Sequence, residues 1–404
     1  MKVVKTPSPL FADLKNIKGC KLSSIIDQQK QQDYKYACKF LKSYNNSQGT
    51  FNSYRREVEK LLQWTWLIAG RSIKALKRGD IEDFINFCQK PPENWISVQK
   101  YQRFIEKDGE TIPNPKWRPF TVSITKTARN RGITPKIKNY KLSPGAIKET
   151  FAILSSFYNY LLQEEYVSTN PVALIRQKSK FIRKQQGSPK IRRLGELQWQ
   201  YVMQATLNMA ADDPNMHERT LFIITALYAM YLRISELAAS SRWVPTMNHF
   251  YRDNDGNWWF TTVGKGNKQR QIAVSNAMLV ALKRWRKHLK LTLLPSPADN
   301  SPLLPKIKGD GPISNISNIR EIVQRCFDKA STMLEADGFT EEKETLGEAT
   351  VHWLRHTGIS DDVKIRPREH VRDDAGHSSS ATTDKYIDIE LRERHKSAKN
   401  KPIT

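Results

Sequence analysis

The sequence predicts a mainly α protein in two parts: a helical N-terminal domain, then a mostly helical domain holding one small antiparallel sheet. Three observations predict this. Apolar residues recur at helical spacing along most of the chain, one short segment sets β-rich runs between turn signals, and an acid-free basic stretch divides the halves. At 404 residues the chain is longer than one ordinary domain. The expected limits are an N-terminal extension over 1–30, a helical domain over 31–175 interrupted by an insertion at 88–142, a linker over 176–193 and a second domain over 194–404.

In the first half, Thr50 is placed to cap a helix bearing Tyr54, Val58, Leu61, Leu62 and Ile68, and Asp80 to cap a shorter one. Ser143-Pro144 starts another, with Ile147, Phe151, Leu154, Tyr158 and Leu161 on one face and Asn170-Pro171 as its stop. Trp64, Trp66, Phe157 and Tyr158 read as core rather than as base-stacking residues. In the second half a helix over Glu196 to Ala210 precedes the apolar run Leu221 to Leu232. Asp255-Gly256 then turns into Trp258 to Val263, and Gly264-Lys265-Gly266-Asn267 turns into Gln271 to Val274. Helices resume after Ser275.

Lys and Arg outnumber Asp and Glu by 66 to 41, a net charge of +25, which points to a polyanion such as nucleic acid as the partner. Thr111 to Lys148 contains no acid but holds Lys116, Arg118, Arg129 and Arg131, with Trp117, Phe120 and Tyr140 between them. It reads either as a solvated insertion or as a loop along phosphates docked by its aromatics, and unrelieved charge of one sign favours the second. Lys178, Lys180, Arg183 and Lys184 make the linker equally positive, suited to crossing a DNA backbone. Cys20, Cys38, Cys88 and Cys326 have no paired spacing and read as reduced thiols of a cytoplasmic protein. Met1 to Gly19 lacks the apolar core of a signal peptide, and the longest apolar run is too short to span a bilayer, so no membrane partner is expected.

Four patterns in the second half carry chemistry. Arg233 follows the apolar helix with Glu236 one turn on, which alone reads as a structural ion pair. Lys265 stands between two glycines, followed by Lys268 and Arg270, which alone reads as an exposed turn. His352 and Arg355 share a helix face, a pairing suited to phosphate, while His356 beside them reads as structural. Gly376-His377-Ser378-Ser379 precedes Tyr386, with His377 nine residues before the tyrosine.

The order Arg233, Lys265, His352-x-x-Arg355, His377, Tyr386 resembles the signature of the tyrosine recombinase (phage integrase) family, as do the words Leu-Arg-Ile-Ser-Glu-Leu, Gly-Lys-Gly-Asn-Lys-Gln-Arg and Gly-His-Ser-Ser around it. The resemblance covers the chain from about Leu194 and, more weakly, the helical half, which is similar to that family's core-binding domain. Two departures stand out: Tyr231 where the family usually has Gly, and Ala375 where it usually has Leu.

The resemblance implies a site-specific recombinase of bacterial cytoplasm, active on double-stranded DNA and belonging to a mobile or resolving element. Tyr386 would attack phosphorus, leaving a 3′-phosphotyrosyl link and a free 5′-hydroxyl. Arg233, Arg355 and His377 would bind the phosphate, Lys265 would protonate the leaving oxygen, and His352 would assist proton transfer at the nucleophile. Glu236 would hold the other side chains, and Lys268 and Arg270 would touch DNA. The chain offers no carboxylate cluster for magnesium, so neither metal nor other cofactor is expected. Four protomers on two duplexes are implied, with accessory directionality factors as further partners. The tail after Tyr386 reads equally as a frayed basic end or as a contact with a neighbouring subunit. Two other activities fit less of the sequence: a non-catalytic architectural DNA-binding protein, and a type IB topoisomerase that relaxes DNA by the same chemistry.

Overall fold

A computed structural model describes residues 4–19, 27–44, 47–173, 175, 181, 192–264, 266–387 and 398–399. The chain divides into two compact units, Met1–Gly187 and Ser188–Thr404. The boundary falls inside the basic stretch, whose lysines and arginines at Lys178, Lys180, Arg183 and Lys184 lie outside the described residues.

The first unit is built on helices α1 (Gln28–Lys42), α2 (Gln48–Leu67), α3 (Arg78–Gln89) and α5 (Pro144–Gln163), with a single turn, α4 (Lys126–Asn130), in the insertion. Ser47, not Thr50, caps α2, its hydroxyl accepting from the Thr50 amide, so the helix starts earlier than the apolar spacing suggests. Asp80 lies inside α3 rather than at its cap; its carboxylate reaches back to the Lys77 amide at 2.8 Å. The α5 start is as expected, with Ser143 capping and Pro144 in the first turn. Phe157 and Tyr158 are fully enclosed, and Trp64 nearly so. Trp66 is partly buried and donates its ring nitrogen to Asp33. Asp33 is itself enclosed and also accepts from Ser72, the Ile73 amide and Tyr166, which joins α1, the turn before α3 and the segment after α5.

The N-terminal extension is not separate from this core. Phe11 is fully buried, stacked on Tyr34, and Glu59 accepts from the amides of Leu10 and Phe11. The insertion is likewise folded rather than a loop. Strands β1 (Ile96–Ser97) and β4 (Phe120–Thr121) pair in parallel, and β2 (Phe104–Lys107) and β3 (Glu110–Pro113) form a hairpin. Its aromatics do dock it, as the sequence suggests: Phe120 packs edge-on to Tyr140, and the Tyr140 hydroxyl donates to the Cys88 carbonyl. Trp117 is buried with the Arg103 guanidinium 4.7 Å over its ring.

The second unit has α6 (Glu196–Asp212), α7 (Pro214–Ala229), the single turn α8 (Ile234–Leu237), α9 (Asn276–His288), α10 (Ile316–Ala336), α11 (Thr340–Gly347), α12 (Val351–Asp362), α13 (Arg368–Ala375) and α14 (Ser380–Ile387). One antiparallel sheet, in the order β5 (Phe250–Arg252), β6 (Trp258–Val263), β7 (Gln269–Ala273), lies among them. This is the mainly α, small-sheet architecture that the sequence predicts. α7 is the central helix of the core, burying Phe222, Ile223, Ile224, Ala226 and Leu227. Gly358 lets α12 cross it closely, since a Cβ there would stand 2.1 Å from the Tyr228 carbonyl oxygen. No described helix is long and apolar enough to cross a membrane.

Candidate active site

The site grows from the place where α7 ends. Tyr231 has φ +49°, a left-handed backbone that glycine adopts without cost, which explains the glycine usual at this point of the resembling family. Here a tyrosine takes the strain, and its ring is buried with Ile359, Val371, Ala375 and Tyr386. Its hydroxyl donates to Asp362 and accepts from Arg366, which also holds Asp374 at 2.6 Å. The reversal aims the Tyr231 carbonyl at Arg355 and brings Arg233 to the start of α8.

Glu236, 1% exposed, is the electrostatic centre. It accepts from the Arg233 amide at 2.8 Å and guanidinium at 2.9 Å, and it takes a two-pronged bond from Arg270, both prongs 2.7 Å. Burial works against its ionised form, but the bonds and charge of Arg270 and Arg233 win and hold its pKa low. Arg270 is therefore a correction to the sequence reading: it faces Glu236 and the Asp374 carbonyl (2.9 Å), not solvent, and is committed to the interior. Lys268, two residues earlier, is exposed. Gly264 closes over this cluster; a Cβ there would lie 3.0 to 3.2 Å from Arg270, Glu236 and Arg233. Lys265 is outside the described residues.

Arg355, 3% exposed, has no carboxylate partner among the described residues. It donates to the carbonyls of Tyr231 and Ala375 and lies 3.3 Å from His377 Nε2. Burial, then the charges of Arg233 and Arg270, pull its pKa down to about 9. Burial, then the charges of Arg355 and Arg233, push His377 down to about 4. His377 is fixed by Thr383 at 2.9 Å and stacks on the Tyr386 ring.

Tyr386 sits on α14, 6% exposed, with its pKa raised by burial against the opposing pull of Arg355 and Arg233. The phenol is thus protonated at neutral pH and within the field of both guanidiniums. Its hydroxyl lies 2.5 Å from Nδ1 of His356. This revises the reading of His356 as structural. Burial, His352 and Arg355 hold its pKa at about 4, so the ring is neutral, and in its Nε2–H tautomer Nδ1 accepts from the phenol. His352, expected at the nucleophile, is instead exposed one turn earlier, its ring 5.5 Å from that of His356. The sequence signal for His356 was its place four residues after His352, on almost the same face.

Of the expected set, Arg233, His352, Arg355, His377, Tyr386 and Glu236 come together in the second unit. In the first unit Lys116 and Arg129 are exposed, and Arg118 folds back on the carbonyls of Pro115 and Trp117. Arg131 follows α4 and is exposed.

No family profile matches the chain. It is 23% identical over 304 residues to the tyrosine recombinase XerC of Bacillus licheniformis, covering 72% of this chain and 83% of that one. It is 24% identical over 313 residues to XerC of Bacillus subtilis, covering 75% and 87%. The fold is similar to the crystal structure of the XerH site-specific recombinase bound to palindromic difH substrate in a post-cleavage complex, with a TM-score of 0.55 at 15% identity over 94% of this chain and 91% of that one. The chain is thus similar in sequence to curated tyrosine recombinases along most of their length, and similar in fold to a site-specific recombinase of known structure.

Proposed function

We propose that the protein is a site-specific DNA recombinase that cuts and rejoins strands through a 3′-phosphotyrosyl intermediate. One observation carries this reading: a protonated phenol, bonded to a neutral imidazole, lies beside two guanidiniums of which one, Arg355, has only neutral partners. Three guanidiniums, of Arg233, Arg270 and Arg355, stand against one described carboxylate, Glu236, so the site is short of negative charge. A scissile phosphate supplies it, and Arg355 and Arg233 then stabilise the charge that grows on the non-bridging oxygens as the Tyr386 oxygen bonds to phosphorus.

Because the phenol keeps its proton until attack, a base must take it as the P–O bond forms. His356 is placed for that transfer. A bound phosphate offsets the positive field that depresses it and raises its basicity. The bond from phosphorus to the 5′ oxygen breaks, and that oxygen takes a proton from Lys265, the role carried over from the family resemblance. His377 donates to a phosphate oxygen, and exposed His352 meets the substrate at the rim. Since the phosphotyrosyl ester conserves the phosphodiester bond, a 5′-hydroxyl from either strand reverses the step without metal or ATP. Exchange between strands calls for double-stranded DNA at two sites and a homo-oligomer, a tetramer by family resemblance.

A nicked duplex whose 5′-hydroxyl fragment diffuses away tests the reading. Wild type is expected to accumulate a covalent DNA–protein adduct in EDTA, and Tyr386→Phe none. Absence of adduct on any cognate end favours an architectural protein, and adduct with relaxation but no exchange favours a topoisomerase.

A further inference from the structure

Outside the candidate active site, Arg219 is a buried cation of the second unit for which the described residues give no ion pair. It lies in the second turn of α7, 7% exposed, its guanidinium 6.0 Å from the centre of the Trp285 ring. Its Nε is buried without a hydrogen-bond partner, and burial alone lowers its pKa. The adjacent carboxylate, Glu218, is taken by Arg284 through bonds of 2.6 to 3.0 Å. A buried guanidinium N–H without an acceptor is costly, and such a group persists where a ligand supplies the missing acceptor and charge.

Arg219 forms part of the wall of a cavity of about 500 Å³. Lys306 and Lys308 reach it from a tight turn closed by the Lys306 amide and the Gly311 carbonyl, and Arg325 comes from the third turn of α10. The N-terminal turn of the 21-residue helix α10, capped by Asn315, forms another side. Its dipole favours an anion there. Four cations thus face one carboxylate, that of Glu321. Exposed Met216 and Ile307 give the rim an apolar part.

We propose that this cavity is a binding site for a small phosphate-bearing ligand, separate from the catalytic site. Arg219 lies in the second turn of α7 and Arg233 beyond its far end; the ten steps from Arg219 to Ala229 alone rise about 15 Å. A phosphate head fits the guanidinium and lysines, and Met216 and Ile307 take an apolar body. The buried position of Arg219 favours a small ligand over a duplex, whose convex backbone meets exposed lysines first.

Calorimetry on the full chain with pyrophosphate at fixed ionic strength tests this. Arg355→Met is used as the background, so that phosphate affinity of the catalytic site is removed. In that background one pyrophosphate is expected to bind, at least tenfold more weakly with added Arg219→Met and severalfold more weakly with added Lys308→Ala, an exposed change that leaves the core intact. Unchanged affinity in both variants, or no binding in the background, overturns the proposal. Displacement of pyrophosphate by an equal phosphate concentration of random duplex also overturns it, assigning the cavity to the DNA backbone. Arg219→Met in the otherwise wild-type chain is expected to leave adduct formation within about twofold, so failure of the catalytic reading and failure of this one are distinguishable.

Discussion

The backbone carbonyl of Tyr231 accepts a hydrogen bond from the buried guanidinium of Arg355, across 124 residues of sequence. The left-handed turn at Tyr231 creates that acceptor, so a strained residue outside the proposed catalytic set orients one inside it. Its hydroxyl serves a different purpose, tying α12 to the Arg366 and Asp374 pair.

Tyr231→Phe keeps the backbone and loses the hydroxyl. It should lower stability by about 1–3 kcal/mol, leaving Asp362 one donor short, while cleavage stays within severalfold. Tyr231→Gly relieves about 1 kcal/mol of strain but empties a buried aromatic site worth about 3–5 kcal/mol, a net loss. Urea denaturation midpoints read both. A stabilised Tyr231→Gly would contradict the assignment.

Glu236→Gln leaves Arg233 and Arg270 without their anion and takes a favourable negative charge from the surroundings of Arg355. Removing one partner of a buried ion pair costs about 3–5 kcal/mol. Inorganic phosphate, by replacing the charge, should raise the melting temperature of this variant more than that of wild type.

His356→Asn removes the group on the Tyr386 hydroxyl. Covalent adduct formation should slow by about a hundredfold, in the range for general base removal, with DNA affinity unchanged in a gel-shift assay. His352→Asn should weaken substrate engagement more than it slows the single-turnover rate. The reverse pattern would return the nucleophile's proton to His352.

Gly264→Ala forces the tips of Arg233, Glu236 and Arg270 to yield by a few tenths of an ångström. Misplacing a phosphate-binding group costs rate more than stability. A loss of about tenfold or more in adduct rate is expected with a melting temperature close to wild type.

Acid should weaken the free protein. His356 and His377 fall from an ordinary 6.5 to about 4 in the fold. The unfolded chain therefore binds more protons between those values. The stability is fully present above 6.5 and is lost as pH falls toward 4. Denaturant midpoints measured across that window should decline, and decline less steeply in His356→Asn/His377→Asn.

The sequence by itself determined the family resemblance and most of the helices. Arg233, Glu236, His352, Arg355, His377 and Tyr386 are functional groups whose order along the chain is distinctive, and caps such as Ser143 act through bonds to residues a few positions away. What the tertiary structure alone decided was which polar group faces which. Arg270 and Lys268 are equivalent as letters, yet β7 turns Arg270 inward to Glu236 and leaves Lys268 exposed. His352 and His356 share a helix face, and only the position of α14 puts Tyr386 on the second of them. Tyr386 lies 30 residues beyond His356, and Arg355 lies 124 beyond Tyr231. Such partnerships between distant residues are fixed by packing, because local spacing sets the direction of a side chain along its own element but not what another element brings to meet it.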